Sequence, residues 1–321
     1  MPRVFDFEGA AERISSRVRR TPLVEGGASG LLLKCEHEQV TGSFKVRGAL
    51  NKVLQLTPEE RSRGIVAASA GNHGLGVAYA ARQAGAQAII VVPEDAVKTK
   101  VDGIRALGSE VILVPGGFGA AEAKGRELAS ERKAVWISPY NDRQVIEGQG
   151  TLGLEVDQQI RDRSGEAVSG DVYVPVSGGG LACGVGLALK QRGEVRVIGV
   201  QTESAPYMSV FLSGKDVEQV TETPTLADGL AGPVERGSIT FDLLPRAVDE
   251  IQLVSESELI ETLEFAQSEL DLMIEPSAAV ALAAARRAGS RRQRVVILSG
   301  GNLAPELKSA LESGRRLGGD L

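Results

Sequence analysis

Three times in this chain an apolar, β-branched run stops at a glycine-rich turn, and the turn opens a segment of helical periodicity. The turns are Ser69-Ala-Gly-Asn-His-Gly74, Ser177-Gly-Gly-Gly-Leu181 and Leu298-Ser-Gly-Gly-Asn302. Strand-like runs at 31–34, 64–68, 88–92, 110–114, 172–176, 195–200 and 294–298 alternate with helix-like stretches at 8–19, 46–56, 75–84, 99–107, 120–132, 179–191, 256–270 and 277–288. Such alternation predicts an α/β chain with parallel sheets wrapped by helices. A glycine turn between strand and helix also presents backbone N–H groups to an anion.

Bulk properties narrow the function. With 321 residues, 42% of them hydrophobic, the chain can bury a large core, and its length favours two lobes. A formal charge of -6, without long runs of one sign, argues against nucleic-acid or anionic-membrane partners and for small metabolites. Residues 1–13 lack the apolar centre of a signal peptide. The longest near-apolar stretch, 277–285, is about half of what a bilayer requires. Two cysteines, Cys35 and Cys183, are expected to be reduced core thiols in a cytoplasmic protein.

One lysine stands out chemically. Lys45 lies in Thr41-Gly-Ser-Phe-Lys-Val-Arg-Gly-Ala49, flanked by small residues and an aromatic. A dry pocket lowers an ammonium pKa, which is what an amine that forms a carbon–nitrogen double bond needs; alone, such a lysine would be read as a surface residue at a helix start. The glycines at 178–180 would let amides converge on a phosphate, or would simply make a tight turn. Neither GxxxxGK[ST] nor a clean GxGxxG with an acidic partner occurs, which disfavours nucleotides.

In order and spacing these elements closely resemble the pyridoxal-phosphate enzymes of the serine/threonine dehydratase group, which includes serine racemase and hydroxyaspartate dehydratases. The resemblance runs from Arg20-Thr-Pro-Leu23 through Pro139-Tyr-Asn-Asp142, Gly148-Gln-Gly-Thr151, Thr225-Leu-Ala-Asp-Gly229 and Glu275-Pro-Ser277. It implies a two-lobed fold of the tryptophan synthase beta type, with a large cofactor-binding domain of residues 1–63 and 142–321 and a small inserted domain of residues 64–141. It also implies a homodimer. The short stretch after Asn302 leads to the expectation that the regulatory domain of biosynthetic threonine dehydratases is not present.

The resemblance also assigns roles. Lys45 would carry pyridoxal 5'-phosphate, and Phe44 would pack on its ring. Ser177, Gly178, Gly179, Gly180 and Leu181 would form the phosphate cup, Asn72 would meet the phenolic oxygen, and Ser299 the pyridine nitrogen. Glu275 would lie near the ring, or would be only an acid in a helix's first turn. Ser69, Ala70, Gly71, Asn72 and His73 would receive the substrate carboxylate, with His73 supporting the loop rather than acting as a base, and Asn141 would face the substrate. His37 is expected to be structural. Some relatives bind a cation after the strand that ends at Val200; here the acid could fall on Gln201 or Glu203, and the metal stays open.

Because Ser299 is a neutral hydroxyl, it leaves the ring a weaker electron sink than a carboxylate would. That suits loss of a β-substituent from a 3-hydroxy amino acid such as L-threonine or L-serine, giving a 2-oxo acid and ammonia. Racemase relatives place a serine where this chain has Ala70, which has no exchangeable proton, so racemisation is expected to be weak. The alternatives are a 3-hydroxyaspartate dehydratase, with Arg143 reading the second carboxylate or merely solvated, a β-replacement enzyme, and a catalytically silent metabolite-binding protein.

Overall fold

A computed structural model describes residues 5–289 and 292–317. Its strands are β1 (Leu23–Glu25), β2 (Leu31–Cys35), β3 (Ile65–Ala68), β4 (Ala88–Pro93), β5 (Glu110–Val114), β6 (Val135–Trp136), β7 (Gly170–Pro175), β8 (Val195–Thr202), β9 (Glu250–Val254) and β10 (Arg294–Leu298). They form a six-stranded sheet in the order β1-β2-β10-β7-β8-β9 and a four-stranded sheet in the order β5-β4-β3-β6. Every pairing is parallel except β1 with β2, as the alternation of strand and helix predicts.

Both faces of each sheet are covered, so the central strands are apolar on both sides. In the large sheet, Leu33, Tyr173, Val296 and Leu298 pack with helix Pro276–Arg287. Val172, Val174 and Ile297 face the opposite way, onto helices Arg143–Ser164 and Gly180–Leu189. In the small sheet, Val66, Ala68 and Val91 meet helix Phe118–Arg132. Ile65, Ala67, Ile90 and Val92 share a core with helix Asn72–Ala84 and also with Val46, Ala49, Leu50 and Val53 of helix Lys45–Leu54. The core of the small sheet thus reaches outside the 64–141 segment.

The longest helix, Arg143–Ser164 with 22 residues, is the main element that sequence periodicity does not reveal. Gly148, Gly150 and Gly153 lower its intrinsic propensity, yet each is where another backbone or ring comes close. A Cβ on Gly148 would sit 2.5 Å from the Arg47 carbonyl, one on Gly153 would sit 3.0 Å from the Val185 carbonyl, and one on Gly150 would enter the Phe7 ring. Gly184 answers from the facing helix, its added Cβ lying 2.5 Å from the Ile146 carbonyl. Tertiary packing therefore overrides propensity along this helix. Among the described residues no helix is long and apolar enough to cross a membrane.

The contrast between two glycines tests this packing. Gly184→Ala is expected to lower stability by about 1–3 kcal/mol through backbone overpacking. Gly119→Ala, in open space on helix 118–132, should be neutral or stabilising by up to about 1 kcal/mol. Urea unfolding midpoints of the two variants provide the comparison.

Candidate active site

Lys45 is held by what happens two residues later. Arg47 is wholly buried. It donates from Nε and Nη2 to the Glu36 carboxylate at 2.8 and 2.7 Å, and from Nη1 and Nη2 to Glu155 at 2.7 and 2.9 Å. Lys34 donates to Glu155 at 2.6 Å and to the Thr21 carbonyl at 2.7 Å. Burial would raise the Glu36 carboxyl, but the Arg47 guanidinium outweighs it and holds the group below its usual range. Helix 45–54 is thereby bolted to the end of β2 and to helix 143–164, with Lys45 at its first position.

The loop before Lys45 is stitched to the end of β10. Phe44 N–H donates to the Ser299 carbonyl at 3.0 Å, Gly301 N–H donates to the Gly42 carbonyl at 2.9 Å, and Ser43 bridges Gly300. From the other side, Gly76 of helix 72–84 lies against Lys45, where a Cβ would come within 3.1 Å of the lysine's backbone carbon. The amine lies 5.1 Å from the Phe44 ring centroid. Lys45 keeps part of its surface open to the cleft, yet desolvation lowers its amine to about 8, against a smaller opposing pull from Glu275. The positive end of its own helix works in the same direction.

At the carboxyl end of β7, Gly179 has φ +85°, a left-handed conformation that favours glycine, and it precedes helix 180–189. A Cβ on Gly178 would run into the Tyr140 ring, and one on Gly180 would lie 2.9 Å from Tyr140 Cα. The turn Ser177–Leu181 is thus a cradle with Tyr140 as its wall, and its amides open the helix's N-terminus, where the first turn has no internal acceptors. Ser299 is buried just beyond β10.

Across the cleft, Asn72 opens helix 72–84. Its Nδ2 donates to both oxygens of Glu275 at 2.8 and 2.9 Å, and its Oδ1 accepts from Asn302 at 2.6 Å. Asn302 also donates to the Thr41 carbonyl at 2.9 Å, so one chain of hydrogen bonds joins the loops of β3, β10 and Lys45. Burial pushes Glu275 up to about 7, against the Asn72 hydrogen bond. Before helix 72–84, the Ser69 hydroxyl accepts from Gly71 N–H at 3.1 Å, and Ala70 leans on the core of the small sheet.

The remaining expected residues are placed as follows. His73 is buried, and its Nε2 donates to the Ile137 carbonyl at 2.9 Å. Since the carbonyl can only accept, Nε2 carries the proton, and burial, with Lys45 nearby, lowers the ring to about 3. Asn141 turns toward Glu235, to which it donates at 2.9 Å, and accepts from Ile239 N–H at 3.0 Å. Arg143 pairs with Glu147 at 3.2 Å and lies 4.1 Å from the Phe5 ring centroid. Gln201 is buried, its carboxamide accepting from Ser209 N–H at 2.8 Å and donating to the Ala205 carbonyl at 3.3 Å. Asn302 and Tyr140 are structural partners of the site that sequence reasoning left without roles, although both lie inside the motifs that it singled out.

The family description "Pyridoxal-phosphate dependent enzyme" matches residues 14–301. The chain belongs to this family. It is 40% identical to the L-threonine ammonia-lyase of Thermotoga maritima, over 97% of this chain and 80% of that one. A threonine deaminase from T.th. superposes with a TM-score of 0.85 at 37% identity, covering 94% of this chain and 99% of that one. Maize serine racemase superposes with a TM-score of 0.83 at 30% identity, covering 96% of each chain. As a pyridoxal-phosphate enzyme the chain has matching chemistry at the cleft: a desolvated amine, a helix-terminal cradle in which a Cβ at 178 or 180 would collide with Tyr140, and a buried neutral hydroxyl, Ser299.

The raised Glu275 carboxyl has a measurable consequence in cofactor-free protein. Between about pH 4.5 and 7 the folded chain keeps a proton that the unfolded chain releases, so stability falls as pH rises through this window. Glu275→Gln should remove that slope, worth on the order of 3 kcal/mol at most. Thermal melts of both proteins from pH 4 to 8 provide the comparison.

Proposed function

We propose that this enzyme is an L-threonine ammonia-lyase that also accepts L-serine, eliminating water from the amino acid and releasing an enamine that takes up water again to give a 2-oxo acid and ammonia. The observation that carries the reading is the desolvated Lys45 amine next in sequence to Phe44, whose N–H is hydrogen-bonded to the Ser299 carbonyl; the family resemblance gives Ser299, a neutral hydroxyl, the role of partner to the ring nitrogen, where a carboxylate would stabilise a carbanion more strongly. The names of the similar proteins support it. The homodimer and the division into domains 1–63 with 142–321 and 64–141 are carried in the proposal from the family resemblance. A cytoplasmic setting agrees with both cysteines being free.

In this reading Ser177 to Leu181 hold the cofactor's phosphate on the N-terminus of helix 180–189. Ser299 meets its ring nitrogen, Phe44 its ring and Asn72 its phenolic oxygen. When bound, pyridoxal phosphate supplies the electron sink that makes the substrate Cα acidic. Lys45, neutral in a large fraction of molecules near its pKa of about 8, takes the Cα proton; an amine at its ordinary value would be almost wholly protonated. The N-terminus of helix 72–84, with the Ser69 hydroxyl, receives the substrate carboxylate. Glu275 and Asn302 fix the Asn72 carboxamide from two sides. His73, held neutral and tied to the strand carbonyl, keeps that loop in place without adding a charge beside Lys45.

The serine racemase likeness raises a second outcome, return of the proton to the opposite face. Ala70 offers no donor for it, so elimination dominates. For 3-hydroxyaspartate, Arg143 is the cation that would have to read the second carboxylate, and its guanidinium is engaged by Glu147 and Phe5. That weighs against an acidic substrate.

Two measurements test the reading. Protein supplied with pyridoxal phosphate should release 2-oxo acid and ammonia from L-threonine, and Lys45→Ala should lower turnover roughly a thousandfold or more; equal turnover in the variant refutes the assignment. Ala70→Ser should raise D-isomer formation from L-serine, followed by chiral chromatography, while an unchanged D/L ratio removes the proposed role of that position.

A further inference from the structure

Outside the cleft, one group of side chains among the described residues has metal-ligand chemistry and no task in the proposed reaction. The ligand atoms of Cys35, His37 and Glu38 all lie within 4.8 Å of one another, at the end of β2 and in the 3-10 turn Glu36–Glu38. The three differ in burial. Cys35 is 1% exposed, while the side chains of His37 and Glu38 are 11% and 42% exposed, so the group runs from the core to solvent.

Their present bonds are weak. The Cys35 thiol points to the Leu33 carbonyl at 3.4 Å. His37 Nδ1 is buried without any hydrogen-bond partner among the described residues, and Nε2 is 3.9 Å from Glu38. The Glu38 carboxylate also faces Arg19, again 3.9 Å away and on an exposed side chain. Glu36, between them in sequence, is fully taken by Arg47 and Thr21. A buried ring nitrogen without a partner costs free energy unless something accepts its lone pair or its proton.

We propose that Cys35, His37 and Glu38 form a binding site for a thiophilic divalent metal ion such as Zn2+, with water completing the coordination. Sulfur, imidazole and carboxylate are the donors that zinc takes, and three protein ligands with an open position is a common arrangement. Tetrahedral zinc holds its ligand atoms about 3.5 Å apart, so separations of up to 4.8 Å have to shorten by roughly an ångström on binding. Binding breaks the Cys35 S–H bond and forms a metal–sulfur bond, with the proton released to solvent. Because the proton is released on binding, affinity should increase with pH.

The site adjoins the catalytic loop from behind. Cys35 pairs with Leu298 across β2 and β10, and a Cβ on Gly301 would lie 2.9 Å from His37 Cβ.

The test is titration of the pyridoxal-phosphate-loaded enzyme with Co2+, read as a difference spectrum. One equivalent should produce a thiolate-to-cobalt charge-transfer band that Zn2+ displaces. The band should vanish in Cys35→Ala and persist in Cys183→Ala. Co2+ binding should weaken in His37→Ala and in the more exposed Glu38→Gln by more than the roughly 10- to 100-fold that loss of an outer-shell partner costs. No charge-transfer band in folded wild-type enzyme, a band that survives Cys35→Ala, or unchanged affinity in both His37→Ala and Glu38→Gln would each overturn the proposal.

Discussion

Everything at the cleft depends on the burial of one guanidinium. Arg47 satisfies two carboxylates from a position with no water access, and it can do so only if the end of β2, the middle of helix 143–164 and the start of helix 45–54 hold fixed relative positions. A buried pair of this kind contributes little net stability compared with apolar packing, but breaking it leaves a stranded charge. Its value here is positional. Lys45 sits two residues away, so the error allowed in the placement of its amine is set by five charge-assisted hydrogen bonds among Arg47, Lys34, Glu36 and Glu155.

Given that placement, the electrostatics of the cleft follow one pattern. Lys45, His73 and Glu275 are all shifted toward their uncharged forms, and in each case burial is the largest cause. Ser299, the expected partner of the cofactor nitrogen, is neutral by composition. The cleft therefore presents helix N-termini and neutral dipoles, which suits a ligand carrying a phosphate and a carboxylate. A fixed positive charge beside Lys45 would lower its amine further, and a fixed negative one would raise it; the tethered, uncharged His73 does neither.

Much of this was legible in the residues. Strand, glycine turn and helix recur with a spacing that predicts parallel sheets, and the expected β5 and β10 have the observed bounds. The turns that hold Asn72, Ser177 and Ser299 follow β3, β7 and β10, as their position after apolar, β-branched runs anticipates. What was not legible has identifiable physical causes. Helix 143–164 hides behind three glycines whose reason is a neighbouring helix or ring. β6 is two residues long and β9 is half exposed, so neither makes a strong pattern. Arg47 reads as one more charge in a mixed segment, because its two carboxylates lie 11 and 108 residues away. Asn141 and Arg143 belong to motifs that look substrate-facing, but their partners, Glu235 and Phe5, come from parts of the chain that local spacing does not place.

The wall of the phosphate cradle carries one more implication. Tyr140 fills the volume that side chains at 178 and 180 would need, and its hydroxyl accepts from Glu235 N–H at 2.8 Å. The ring and the glycines are therefore a single steric unit written in two distant places. A lineage that shrinks the aromatic opens a void over the turn, while one that enlarges either glycine displaces the ring and releases the 235–239 segment. Descendants of this enzyme can alter the two sites only in concert, and paired replacements in such sequences would be the historical trace of that contact.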